Sequence, residues 1–315
     1  MTMSVHLARL LVLAVILVNG WTDAPNAIAT AVGSGALSFR RGVWMAAVCN
    51  FIGSAAACLC FPAVADTVGE LVRFSDPRAA VTALNAALLS IVLWAVAAWR
   101  FGLPTSESHA LLAGLSGGAL ALGAGAASLS AGAWLRALAG LGLSLPAGVL
   151  AGRLFRRLLA GRVRRPAAWQ AGAAALTALL HGVQDGQKFL ALLLLTDGLD
   201  GAQSSSRLAL ALLTAAVMAL GTALGGKPIV EKVGTQLASL SPADGLAADL
   251  GAGGVLLVCS VLGLPASTTH AKVSAICGAG RGASRRVMAQ MAGAWALTFP
   301  ACAAMAFLLA KWMLG

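Results

Sequence analysis

The stretch GWTDAPNAIATAVGSG, residues 20–35, sets a carboxylate, Asp23, a helix breaker, Pro25, and an amide, Asn26, inside an apolar run that continues from about Val5 past Val32. At about 1.5 Å per helical residue the run is long enough to cross a hydrocarbon core of about 30 Å, and Asp23 falls near its middle. An ionised side chain there costs roughly 2.5 to 3.5 kcal/mol on insertion scales, so Asp23 is expected to face a cavity, a partner or an ion pathway. The competing reading is a surface loop between two short helices. The apolar residues on both sides are too many for a solvated loop.

Composition agrees with this reading. The chain is 59% hydrophobic and only 10% charged, with a mean hydropathy of +0.86, which excludes an ordinary globular protein and fits an all-α polytopic membrane protein. Its 315 residues accommodate about ten spans and no large soluble domain. The net charge of +11 does not point to nucleic acid, because the basic residues lie between apolar runs, where they set topology. Cys49, Cys58, Cys60, Cys259, Cys277 and Cys302 sit within apolar runs and read as small core residues, with no metal or disulfide spacing. The first twenty residues resemble a signal peptide without a convincing cleavage site, and are expected to remain as the first span.

Hydropathy predicts spans at 5–32, 43–65, 79–99, 103–123 and 132–150, then, after an arginine-rich connector, at 168–196, 208–224, 246–262, 264–278 and 287–309. This organises the chain as a first transmembrane repeat over 1–152, a basic cytoplasmic connector over 153–167 and a second repeat over 168–315. The string LPTSESHALLAG at Leu103 is echoed by LPASTTHAKVSA at Leu264, an offset of 161. The opening stretch is echoed by HGVQDGQK at His181, which pairs Asp23 with Asp185 at an offset of 162. Two motifs in the same order at nearly the same offset indicate duplication.

An odd number of spans per repeat inverts the second copy, and loop charge tests the inversion. With the connector in the cytoplasm, fourteen basic residues fall inside and six outside: Arg9, Arg73, Arg78, Arg136, Arg207 and Lys311. Asp66, Glu70, Asp76, Asp197 and Asp200 also fall outside, as do both termini. Broken or re-entrant helices are expected where 103–123 and 264–278 open on polar residues.

The polar insertions form two related pairs. Pro104 and Pro265 each precede a hydroxyl cluster, Thr105, Ser106 and Ser108 in one copy and Ser267, Thr268 and Thr269 in the other, before an Ala/Gly/Leu run. Break, cap and helix in that order describe a helix N-terminus, whose free N–H groups and partial positive charge suit a tetrahedral oxyanion; ordinary capping of a broken helix is the alternative. Asp23 and Asp185 would repel such an anion and are expected to be coupling residues that coordinate Na⁺ or carry H⁺, with Thr22, Asn26 and Gln184 beside them. Gln187 and Lys188 are assigned to the substrate, with Lys188 either touching the anion, standing in for a bound cation or pairing with Asp185. Lys272 is expected to snorkel, and Glu107 to be a proton carrier or a solvent-facing residue. His109 and His270 follow hydroxyl residues, which raises an intramembrane hydrolase, but helix-capping histidines explain them better. No catalytic residues are assigned.

With these residues in view, the chain resembles the inorganic phosphate transporter (PiT) family of secondary transporters. GWTDAPNA and HGVQDGQK look like its paired Asn-Asp motifs, and TSESH and STTH like its hydroxyl-rich motifs ending in His. The resemblance implies a phosphate symporter coupled to Na⁺ or H⁺, or a carrier of neutral metal phosphate, in the inner (plasma) membrane, with no cofactor beyond the coupling ion. Thr22 and Gln184 replace the Asn that usually precedes the Asp, and Gly186, Gln187 and Lys188 depart from the second motif. A sulfate permease of the same fold is the alternative, ahead of an anion channel. The expected partners are phosphate or sulfate and lipid; the resemblance leaves room for a homo-oligomer and for a PhoU-like cytoplasmic regulator at the connector.

Overall fold

The computed structural model describes residues 2–60, 63–71, 76–123, 130–199 and 206–314. Arg73 and Asp200, both assigned outside, and residues 61–62 of the second predicted span lie outside the described residues. The first half contains α1 (Thr2–Thr22), α2 (Pro25–Gly33), α3 (Phe39–Cys60), α4 (Ala63–Gly69), α5 (Pro77–Arg100), α6 (Glu107–Ala121) and α7 (Ala131–Leu159). The second contains α8 (Pro166–Leu199), α9 (Arg207–Leu224), α10 (Lys227–Glu231) with a following π-helical turn (Lys232–Gln236), α11 (Pro242–Val261), α12 (Thr268–Ala279) and α13 (Arg285–Leu314). Among the described residues seven helices, counting α1 and α2 as one, are long and apolar enough to cross a membrane.

Local chemistry explains the breaks. Pro25 lacks an N–H and its ring clashes with the carbonyl four residues back, so α1 ends at Thr22 and α2 starts on the proline. The equivalent residue in the second copy is Gln187, and α8 runs unbroken through Asp185. A discontinuous helix is therefore a property of the first motif alone. After Pro104 and Pro265 the chain stays non-helical until Ser106 and Ser267 cap α6 and α12. At 15 and 12 residues these are half-helices, too short to span alone. Gly114 of α6 meets Ala87 of α5 while Gly118 meets Ala83, so α6 runs antiparallel to α5. In the same way Ser239, just before α11, bridges Arg281, just after α12. Each half-helix thus runs back along the helix before it.

The halves exchange partners. α1 packs on α9 as α3 packs on α8, and α6 packs on α13 as α12 packs on α7. Small residues permit backbone contact at these crossings, where lipid supplies no hydrophobic drive between helices. A Cβ added at Gly53 would lie 2.0 Å from the Leu179 carbonyl, and one at Gly221 would lie 2.1 Å from that of Leu17. Gly117 stands against Ala303 and Gly278 against Val149 in the same manner, at 2.0 and 2.2 Å.

Polarity is distributed inside out relative to a soluble protein. Leu135, Leu138, Leu143 and Leu150 of α7 are exposed, whereas Asn19, Asn50, Gln184 and Thr214 are buried. The ion pairs Arg9–Asp197 and Arg136–Glu70, both at 2.8 Å, join residues that loop charge assigned to the same side. The connector is shorter than expected, because α7 continues through Arg153, Arg156 and Arg157 to Leu159.

Candidate functional site

Asp23 sits at the break between α1 and α2, 3% exposed. Thr268 Oγ1 donates to its Oδ2 at 2.7 Å, and Asn26 Nδ2 and Thr269 Oγ1 both donate to Oδ1, the former at 2.8 Å. Thr269 Oγ1 also lies 2.8 Å from the Thr105 carbonyl, within donor range, and accepts from Asn26 Nδ2 at 3.1 Å. The first turn of α12 thereby holds the carboxylate of α1. Asn26 Oδ1 is buried and has no hydrogen-bond partner among the described residues. Two carboxylate oxygens, two hydroxyls and a peptide carbonyl form a hard, anionic donor set that suits an alkali cation, with the Asn26 amide nitrogen facing it. Thr22 Oγ1 bonds the Val18 carbonyl and Glu107 Oε1, at 2.8 and 3.1 Å. Glu107 is buried and lies in the field of both Asp23 and Asp185, which removes the solvent-facing reading.

Asp185 lies in mid-helix on α8. Lys188, one turn on, donates to Asp185 Oδ1 at 2.6 Å, Ser108 Oγ at 2.7 Å and the Ala266 carbonyl at 2.8 Å. An ammonium has three hydrogens, and in this arrangement these three protein oxygens take them, as in the ion-pair alternative for Lys188. Gln187 is turned away from the hydroxyl clusters: its Oε1 accepts from the Val64 N–H at the start of α4 and its Nε2 donates to the Val183 carbonyl. Gln184 reaches the Leu264 carbonyl ahead of Pro265, at 2.8 Å, and its Oε1 accepts from Ser260.

The half-helices meet these pockets at their N-termini. Ser106 and Ser267 side chains accept from the His109 and His270 N–H groups, at 3.4 and 3.2 Å, so the serines are the caps and the imidazoles are not. The two rings instead stand edge to face, 4.8 Å between centroids, and His270 packs on Trp295. The first-turn N–H groups of Glu107 and Ser108, and of Thr268 and Thr269, lie outside their helices' own ladders and keep the partial positive charge.

Several residues escaped the sequence reading. Asn19 of α1 donates to Asp185 Oδ2 at 3.1 Å, and His181 of α8, the residue equivalent to it, approaches Asp185 at 3.3 Å and Asp23 at 4.0 Å. Asp23, His181 and Asp185 are the one group among the described residues whose ligand atoms gather closely enough for a metal ion, within 4.8 Å. Asn50 orients His181 from α3 at 2.9 Å. Lys272 does not snorkel: it is buried against Asp249, bonds the Ala27 carbonyl at 3.0 Å, and shares Asp249 with Thr30. Asp249, an acid in an apolar span, carried the same signal as Asp23. Its pair was invisible to the repeat, because Ala87 and Leu111 stand at the equivalent positions.

A model of the phosphate transporter family matches the chain twice, over residues 19–171 and 153–306. A probable low-affinity inorganic phosphate transporter of Bacillus subtilis (strain 168) is 31% identical over 304 residues, covering 90% of this chain and 89% of that one. One of Rhizobium meliloti (strain 1021) is 34% identical over 306 residues with the same coverage. The solved structure titled "The sodium-dependent phosphate transporter" shares the fold, with a TM-score of 0.86 over 100% of this chain and 99% of that one at 19% identity.

Proposed function

This chain belongs to the phosphate transporter family, and from that premise we propose that it imports inorganic phosphate across the plasma membrane, coupled to Na⁺ or H⁺, by alternating access of its two inverted repeats. The observation that carries the reading is the engagement of Asp23 by Thr268 and Thr269 at the N-terminus of α12. A helix N-terminus attracts an oxyanion, and here the protein's own carboxylate holds that place. A cation among Asp23, Asn26 and the Thr105 carbonyl draws the carboxylate into its own coordination. The first turn of α12 is then free to receive phosphate, together with that of α6. Coupling follows from electrostatics: without the cation, carboxylate and phosphate compete for the same donors and repel each other. Glu107, between Thr22 and the two aspartates, is the group to carry a proton if the coupling ion is H⁺.

The test is radiolabelled phosphate uptake into proteoliposomes, with imposed Na⁺ and proton gradients varied separately and sulfate as competitor. Uptake driven by one of the gradients and little affected by sulfate is expected. Preference for sulfate overturns the substrate, and uptake indifferent to both gradients overturns the coupling.

A further inference from the structure

The pockets around Asp23 and Asp185 share one set of atoms. In the first, Asp23 Oδ1, the Thr269 hydroxyl and the Thr105 carbonyl converge, with Thr269 to Thr105 at 2.8 Å. In the second the equivalent atoms converge: Asp185 Oδ1, the Ser108 hydroxyl and the Ala266 carbonyl, with Ser108 to Ala266 at 3.1 Å. The offset of 161 takes Thr105 to Ala266 and Ser108 to Thr269, while 162 takes Asp23 to Asp185 and Asn26 to Lys188. The conspicuous difference is the last pair. Asn26 adds no positive charge to its pocket, and no Lys or Arg bonds to Asp23 among the described residues. Lys188 places an ammonium at the focus of the other, 2.6 to 2.8 Å from all three oxygens.

We propose that the Lys188 ammonium is a resident cation: it fills the second of two equivalent cation pockets, so that this chain binds one exchangeable alkali cation, at Asp23, instead of two. The inference rests on the cation-coupled reading and deepens it, since it fixes the number of mobile ions. A simple ion pair with Asp185 would leave the other ammonium hydrogens to water or to any nearby acceptor. Instead they meet one hydroxyl and one peptide carbonyl, the types of oxygen that serve the equivalent pocket. Being tethered, this cation balances Asp185 in every state and draws no energy from a gradient. The remaining pocket carries one ion per cycle, which moves monovalent phosphate without net charge.

Equilibrium binding of ²²Na⁺ to the purified protein, without phosphate, tests the proposal. Wild type is expected to bind one Na⁺ per chain, Lys188→Asn and Lys188→Gln two, and Lys188→Asn combined with Asp185→Asn one again. Thermal unfolding checks that each variant is folded. A count of zero or two in wild type overturns the proposal, and this arm needs no variant. Lys188 variants that bind no more than wild type also overturn it, as does an extra ion that survives Asp185→Asn. Because phosphate is absent, a failure of phosphate coupling shows in the uptake assay and leaves these counts unchanged.

Discussion

Around Asp23 the helix breaks at Pro25 and the carboxylate is held by hydroxyls and an amide; around Asp185 the helix continues and the carboxylate is held by a lysine. One plan, duplicated, has diverged into a pocket with an open charge and a pocket with a closed one. The first can change state when an ion arrives or leaves. The second has its counter-charge built into the chain. A transporter that needs only one side of its symmetric core to respond can fix the other, and a single lysine does so.

The largest expected effect breaks the comparison outright. Asp185→Asn strands a buried ammonium and is expected to cost about 3 to 5 kcal/mol of stability, whereas Asp23→Asn leaves no buried charge behind and folds normally. Asp23→Asn instead lowers coupled uptake by about 100-fold or more, the scale of losing a charged partner worth about 3 kcal/mol. Thermal unfolding and uptake, measured on both variants, separate the two outcomes; equal stability in the two would sink the distinction.

The next effect tests the frame around the pockets, which is symmetric where they are not. Gly117→Ala and Gly278→Ala each press a methyl into a backbone carbonyl, at 2.0 and 2.2 Å, and are expected to destabilise by about 2 to 3 kcal/mol alike. Gly172→Ala and Gly293→Ala, which face open space, serve as controls. Unequal losses at Gly117 and Gly278 would mean that the divergence reaches the scaffold.

The smallest effect sharpens the contrast. Thr269→Ala is expected to raise the half-saturating Na⁺ for uptake about tenfold, because it removes one of the oxygens that converge on the cation pocket, a loss of roughly 1.4 kcal/mol. Its counterpart Ser108→Ala removes one of three acceptors from Lys188, so it is expected to lower stability by about 1 kcal/mol and to leave the Na⁺ dependence unchanged. A comparable Na⁺ shift in both variants would contradict the resident-cation assignment.

Much of this was legible in the residues. Pro25, Pro104 and Pro265 announce the breaks because proline removes a donor whatever surrounds it, and the motif echoes expose the duplication because spacing survives divergence. The contacts made across the halves were not legible. Asn19 lies in an apolar run and gives no hint that its amide reaches Asp185 on another helix. Gln187 reads as a substrate residue of the second motif, and its bond to the N–H of Val64 has no sign in the sequence. Lys188 was recognisable as a charge near Asp185, but its role depends on the Ala266 carbonyl, and a carbonyl has no signature in sequence.

The glycine crossings carry a mechanical consequence. With no side chains between them, α1 and α9, α3 and α8, α6 and α13, and α7 and α12 are pinned backbone to backbone. These crossings group α1, α3, α8 and α9 into a hub flanked by two levers, one of α5, α6 and α13 packed on α1 and one of α7, α11 and α12 packed on α8. Both aspartates belong to the hub and the hydroxyl turns to the levers, so each pocket is a joint. At the Asp185 joint Lys188 is a rivet that clasps the hub to Ser108 on one lever and to Ala266 on the approach to the other. At the Asp23 joint the clasp is made of hydroxyls and an amide instead, and under the proposed coupling the arrival of an ion there would latch or release the levers.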